Sequence, residues 1–306
     1  MKNRMIRLLH VLALLASFAL SACEKMVLDE ETTVVEQEGN VTIKASMFNI
    51  VPFDDTRAVQ DIADYCTRLC FVVYKDDTQV KKVLQKFGDA NYGQVSVRLE
   101  PGTYQLLVLA HSGSTNPTLT HPDSLKFTNS IGYTDTFYSY GELVVGSEAT
   151  THNVALQRAT TMLRVIVTGN IPSEVKRIRL YYTGGTGVFN AVEGRGGTTK
   201  SKQHTFFEVA GKSSPVTLET YTFLREETGK LDVTITAYGA SENFLAEKII
   251  HDVPMKNHMV TEFSGALFSG EDDEPSDDDP EEDIDNEESF SFKAETSWEV
   301  FEQHTF

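Results

Sequence analysis

Apolar side chains recur at every second position through much of the stretch from residue 41 to residue 268, and a period of two is the mark of a strand with one face on a core and one in water. Val41, Ile43, Ala45 and Met47 alternate with Thr42, Lys44 and Ser46, and Val95, Val97 and Leu99 alternate with Ser96 and Arg98. The same rhythm returns in Leu163, Val165 and Val167, in Ile178, Leu180 and Tyr182, and in Leu231, Val233, Ile235 and Ala237. The run Leu69 to Tyr74 is apolar throughout, as a more deeply buried strand would be, and residues 258–268 read as a closing strand. Many short strands separated by turn signals, with almost no helix, predict an all-β chain of two tandem β-sandwich domains, residues 41–157 and 158–269.

Three local features refine this expectation. Glu100-Pro101-Gly102-Thr103 has Pro and Gly placed for a type II turn, which predicts a hairpin joining the strand at Val95–Leu99 to one at Tyr104–Ala110. Val80, Val83, Leu84 and Phe87 fall at helical spacing behind Asp77 and Thr78, which predicts one short helix. Residues His111 to Tyr140, rich in Ser, Thr, Asn and aromatics, read as a long irregular connection.

The first 22 residues read as an address. Lys2, Arg4 and Arg7 precede an apolar stretch, Leu8 to Leu20, that is too short for a membrane-spanning helix, which needs roughly 20 apolar residues. It ends in Leu20-Ser21-Ala22-Cys23, which resembles the bacterial lipobox. Small residues admit the chain to the peptidase and the Cys23 thiol accepts the lipid, so residues 1–22 are expected to be a lipoprotein signal peptide. At about 0.8 kcal/mol per buried methylene, several acyl chains on Cys23 would anchor the protein stably. Residues 23–40, acidic and without periodicity, read as a tether.

The formal net charge is −18, and 13 acidic side chains with no basic one stand in residues 271–288. Such a run cannot bury a core, so residues 270–289 are expected to form an extended linker. The remaining acidic surplus is modest and excludes a nucleic-acid partner, which needs a basic footprint. Beyond the linker, in residues 290–306, the even positions read Phe290, Phe292, Ala294, Thr296, Trp298 and Val300, with polar residues between them. This amphipathic strand is not stable alone, because its backbone groups and apolar row need a sheet edge. It can complete its own second domain or be donated to a neighbouring molecule, its alternate side chains filling pockets there.

No constellation for catalysis, metal or cofactor is legible. The eight histidines form no HExxH or close Cys/His cluster, and Asp283-Ile284-Asp285-Asn286 lacks the glycine a calcium loop requires. The glycines of residues 183–187 and 194–197 lie between strands and lack the Lys-Ser/Thr end of a phosphate loop, so turns account for them. With Cys23 assigned, Cys66 and Cys70 remain. On one strand they would stand about 13 Å apart, beyond disulfide reach, and free buried thiols are expected; a bridge stays open if Cys66 ends a helical turn. The chain is therefore read as non-enzymatic.

Several short segments occur in an order that resembles the fimbrial anchor lipoproteins, the fimbrillin-associated anchor and assembly subunits of type V pili in Bacteroidales. They are the lipobox at Cys23, Arg68-Leu69-Cys70-Phe71, Leu99-Glu100-Pro101-Gly102-Thr103-Tyr104, Ala110-His111-Ser112, Thr134-Asp135-Thr136-Phe137-Tyr138 and Leu156-Gln157-Arg158-Ala159. The resemblance spans about residues 41 to 268. It implies two transthyretin-like sandwiches, a lipid anchor in the outer membrane with surface exposure, and a place at the base of a fimbria. There the protein would bind shaft or accessory subunits and limit fibre length. It also implies that Val41 to Met47 stays in its own sheet, with Phe290, Phe292, Ala294, Trp298 and Val300 as the candidate donor strand. A reading from another class is a carbohydrate-binding surface lipoprotein, with Tyr133, Phe137, Tyr138 and Tyr140 stacking on sugar rings. Core or loop packing is the competing expectation for those four rings, and the preferred one.

Overall fold

Seventeen strands and one 3₁₀ turn, Ile62–Asp64, make up the described residues of the computed structural model, which are 39–47, 61–128, 133–197 and 202–268. The Cys23 and Phe290–Val300 sites of the sequence reading lie outside them. The first eight strands are β1 (Val41–Met47), β2 (Arg68–Lys75), β3 (Thr78–Lys86), β4 (Gln94–Val97), β5 (Gly102–His111), β6 (Leu125–Lys126), β7 (Thr136–Val145) and β8 (Thr150–Arg158). Sheets β3-β2-β5-β7 and β8-β1-β4 face one another, joined where Phe137 and Tyr138 pair with Arg158 and Gln157. Between them lies a core that includes Val41, Ile43, Leu69, Phe71, Val108, Phe137 and Leu156.

The remaining strands are β9 (Thr161–Thr168), β10 (Arg177–Thr183), β11 (Val188–Asn190), β12 (Arg195–Gly196), β13 (Gln203–Glu208), β14 (Val216–Thr222), β15 (Thr228–Tyr238), β16 (Phe244–Lys256) and β17 (Val260–Ala266). Sheets β13-β10-β15-β16 and β14-β9-β17 enclose a second core that includes Leu163, Ile178, Leu180, Tyr182, Val233 and Phe263. The chain is thus all-β, with two tandem β-sandwiches.

The two sandwiches repeat one topology. In each, the first strand (β1 or β9) is central, with the last strand (β8 or β17) parallel on one flank and an antiparallel strand (β4 or β14) on the other. In each, the second strand (β10 or β2) lies inside the opposite four-stranded sheet. The parallel pairing of first and last strands leaves the ends of each domain at opposite ends of that sheet, so β8 leads into β9 through Ala159 and Thr160 alone.

Two local expectations are corrected. The segment with Val80, Val83, Leu84 and Phe87 is strand β3 rather than a helix. Asp76 and Asp77, at φ 50° and 59°, turn β2 directly back onto it, as a two-residue hairpin with both central residues left-handed requires. Nor do β4 and β5 form a hairpin. β4 pairs with β1 in one sheet and β5 with β2 and β7 in the other, so Leu99 to Pro101 cross between layers and Gly102 has φ 158° rather than a type II turn value.

Candidate functional site

Strand β1 occupies the central position of its sheet, between β8 and β4. It pairs with β8 over all seven residues, from Val41 with Thr150 to Met47 with Leu156, and with β4 from Val41 with Val97 to Lys44 with Gln94. Its alternate side chains Val41, Ile43 and Met47 are buried, as the period-two pattern requires. Asn40 fastens the entry: its side-chain amide donates to the Leu99 carbonyl at 2.8 Å and its side-chain oxygen accepts from the Leu99 N–H at 2.9 Å. Before it, a Cβ on Gly39 would stand 2.5 Å from the Val97 nitrogen, so the chain enters the sheet pressed against β4. In the second sandwich β9 fills the equivalent slot, between β14 and β17. Both central positions are therefore taken by the chain's own strands, and free hydrogen-bonding flanks remain at sheet edges, among them β17, which pairs through β9 only.

On the β14-β9-β17 sheet, Arg164 of β9 reaches both neighbours, donating from Nε to Glu219 at 2.8 Å and from Nη1 to Glu262 at 3.2 Å. This row ties edge strand β17 to its sheet through a charge-assisted network as well as through the ladder.

Four of the short segments singled out in the sequence, 68–71, 110–112, 134–138 and 156–159, meet at one end of the first sandwich, whereas 99–104 lies at the other end of β5. Arg68 pairs with His111 and Leu69 with Ala110; Ala110 pairs in turn with Phe137, and Phe137 with Arg158. The Ser112 hydroxyl accepts from the Thr67 N–H at 3.2 Å and donates to the Tyr65 carbonyl at 3.1 Å. Asp135 receives Arg158 and the Thr160 hydroxyl, and Arg158 lies over the Phe137 ring, 4.9 Å from its centroid. These contacts fix the two-residue link between the sandwiches. Periodicity alone gives no sign of this, but the polar residues beside the strand ends stand out in the sequence as short motifs.

A third core seals the junction. The outer face of β2 and β5 presents Cys70, Val72, Tyr74, Leu107 and Leu109, and Leu119, Leu125 and Phe127 of the 112–135 connection lie on it. From the second sandwich come Phe189, Ala191 and Phe223, with Tyr138 edge-on to Phe189 at 4.7 Å. Strand β6 pairs with β11, so one small sheet contains strands of both sandwiches. Cys66 is buried in the first core and Cys70 in this one; both are free thiols, and burial pushes each up to about 12. His111 is buried as well, and burial holds its ring down at about 4. Of the aromatics considered for sugar stacking, Tyr133, Phe137 and Tyr138 are buried and Tyr140 is half-buried, so core packing accounts for them. Among the described residues no group of three or more His, Cys, Asp or Glu could hold a metal ion, and no helix is long and apolar enough to cross a membrane.

A family model described as a family of unknown function, DUF6562, matches residues 31–301. The chain belongs to that family. No curated protein matches it. Among solved structures, the chain is similar to a candidate adhesin from Bacteroides ovatus ATCC 8483, at 16% identity over 69% of this chain and 81% of that one, with TM-score 0.46. It is also similar to a candidate polysaccharide-binding protein from Bacteroides thetaiotaomicron VPI-5482, at 13% identity over 74% and 90%, TM-score 0.45. The fimbrial anchor protein Mfa2 from Porphyromonas gingivalis matches at 13% identity over 73% and 89%, TM-score 0.39. Each likeness concerns the fold.

Proposed function

We propose that this DUF6562 protein is a non-catalytic, lipid-anchored structural subunit of a surface fimbria, held to the outer membrane through Cys23 and bound to a shaft or accessory subunit by β-strand pairing. The observation that carries the reading is the seating of β1. With seven residues paired to β8, four to β4 and its entry fastened by Asn40, β1 leaves no slot for a foreign strand at the centre of its sheet. A subunit that cannot accept a strand there ends a fibre instead of extending it, which suits an anchor that limits length. The order of short sequence segments shared with fimbrial anchor lipoproteins supports the same reading, and so does the lipobox. Pairing would then use an open sheet edge or lend the row Phe290 to Val300.

The test is made in the native host. Replacing Cys23→Ala is expected to abolish acyl labelling and release the protein from membranes, with fibres shed into the medium. Deleting residues 271–306 is expected to leave the protein folded and lipidated while fibre attachment is lost. Fibres that remain attached and of normal length in both strains would refute the anchor role.

A further inference from the structure

The outer face of β13-β10-β15-β16 is the topological counterpart of the face by which the first sandwich holds the second, yet no described residue covers it. On the first sandwich that face is apolar and closed over by Leu119, Leu125 and Phe189. On the second it carries aromatic rings and guanidinium groups open to solvent. Register places Phe206, Arg179, Thr236 and Glu247 in one row across the four strands, and Arg177, Tyr238 and Phe244 in the next.

The side chains of this face are held in place before any partner arrives. Arg177 lies 4.2 Å from the Phe206 ring centroid and 5.8 Å from that of Tyr238. Arg179 lies 5.6 Å from Tyr238 and donates to the Thr236 hydroxyl at 3.1 Å, which donates in turn to Glu247 at 2.9 Å. Arg177 pairs with Glu242, but Arg179 has no carboxylate partner among the described residues. Mutual stacking accounts for Phe206, which is 41% exposed; it does not account for Phe244 and Ile249 on the opposite edge strand β16, 62% and 52% exposed, against which no ring or cation lies among the described residues.

We propose that this face is the docking surface for a partner fimbrial subunit that presents a carboxylate set among aliphatic side chains. The proposal rests on the fimbrial reading above. Three observations favour a protein partner. The equivalent face of the first sandwich already serves as a domain interface. Aromatic and Arg side chains are the residues that dominate protein interfaces, and rings fixed by stacking lose little entropy on binding. The guanidinium of Arg179, which has no carboxylate partner among the described residues and lies beside the exposed Phe206, suits a carboxylate in a desolvated setting. Glu208 and Glu242 beside Arg177, and Glu247 in the Arg179 row, disfavour a polyanion that would span the whole face.

Fimbriae sheared from the same cells serve as the probe, and the full chain in detergent is immobilised. Arg179→Glu and Phe206→Ser are each expected to weaken fimbrial binding roughly thirtyfold, the size of an interface hot spot. Val80→Ser and Phe87→Ser, at exposed apolar positions beside the β3 edge, are expected to leave it unchanged, with thermal unfolding reporting the fold of every variant. Wild-type binding that all four variants preserve overturns this surface while the fimbrial reading stands. Absence of wild-type binding, together with attached fibres in cells lacking the protein, overturns the fimbrial reading itself. If the two face variants instead abolish self-association or polysaccharide binding and leave fimbrial binding intact, the occupant is a second copy or a glycan and the proposal fails.

Discussion

Arg158 grips Asp135 with both ends of its guanidinium fork, Nε lying 3.0 Å from each carboxylate oxygen and Nη2 2.8 Å from Oδ2. The side chains are 11% and 20% exposed, and Asp135 also accepts from the Thr160 hydroxyl at 2.8 Å. Because the pair spans the start of β7 and the end of β8, it holds the strand that leads into the second sandwich. Removing one partner from a buried pair costs about 3–5 kcal/mol, and partial exposure brings Asp135→Ala toward the lower end of that range. Urea unfolding of Asp135→Ala, Arg158→Ala and the double variant is expected to show strong coupling, the double variant losing much less than the two single losses added together.

His111 makes the fold sensitive to acid. Its Nδ1 accepts from the Gly113 N–H at 3.1 Å, its ring is buried, and the Asn116 side chain only partly offsets the cost of charging it. Its pKa is lowered by burial from 6.5 to about 4, so between those values the unfolded chain binds a proton that the folded protein excludes. Stability from this group is therefore complete above about pH 6.5 and falls as pH falls to about 4, by roughly 1.4 kcal/mol per pH unit at the steepest. Denaturant midpoints measured from pH 7.5 to 4 should drop for the wild type and drop less for His111→Gln.

Gly194 meets the Tyr138 hydroxyl at the junction of the sandwiches. Its φ is +72°, and a Cβ there would fall 2.3 Å from the Tyr138 oxygen. Gly194→Ala combines backbone strain of about 1 kcal/mol with a steric clash. In a Tyr138→Phe background, which removes the hydroxyl, the same change is expected to cost less, the remaining loss being the backbone strain. Thermal unfolding of the four proteins of this cycle measures the difference.

Local patterning made the strands legible, but not which strands pair. Val41 to Met47 and Leu163 to Val167 alternate because one face of each meets a core, and that signal needs no knowledge of partners. The stretch from Val95 to Tyr104 has two alternating runs and a Pro-Gly turn signal, yet its runs belong to different sheets, because pairing was decided by contacts with Val41 and Arg68 far away in sequence. β3 has the spacing of a helix because it carries apolar residues on both faces. Val83 meets the first core and Leu84 the junction, and that combination imitates a helical spacing. The apolar run Leu69 to Tyr74 announced burial on two sides, but the covering of Cys70, Val72 and Tyr74 by a connection and a second domain had no local signal. The aromatic and arginine face of the second sandwich was missed for the same reason: its residues lie on strands spread from Arg177 to Ile249 and come together only through register.

Ile43 tests how firmly the central slot is held. It is completely buried between the flanking strands, pairing with Val95 on β4 and His152 on β8. Truncation to alanine removes its core contacts and leaves a cavity, at a cost of about 2–5 kcal/mol. Its ladder hydrogen bonds come from the backbone and survive the change, so β1 should remain in place and the protein should unfold at lower denaturant with an unchanged m-value. The reciprocal experiment supplies a synthetic peptide of residues 39–47 to the full chain. Since the slot is occupied by covalently attached strand at a far higher effective concentration, no exchange is expected for the wild type by mass spectrometry or hydrogen exchange. Incorporation of peptide into the wild type would mean that β1 leaves its sheet readily. The protein would then be able to accept a foreign strand in that slot, and the physical basis for reading it as the end of a fibre would be gone.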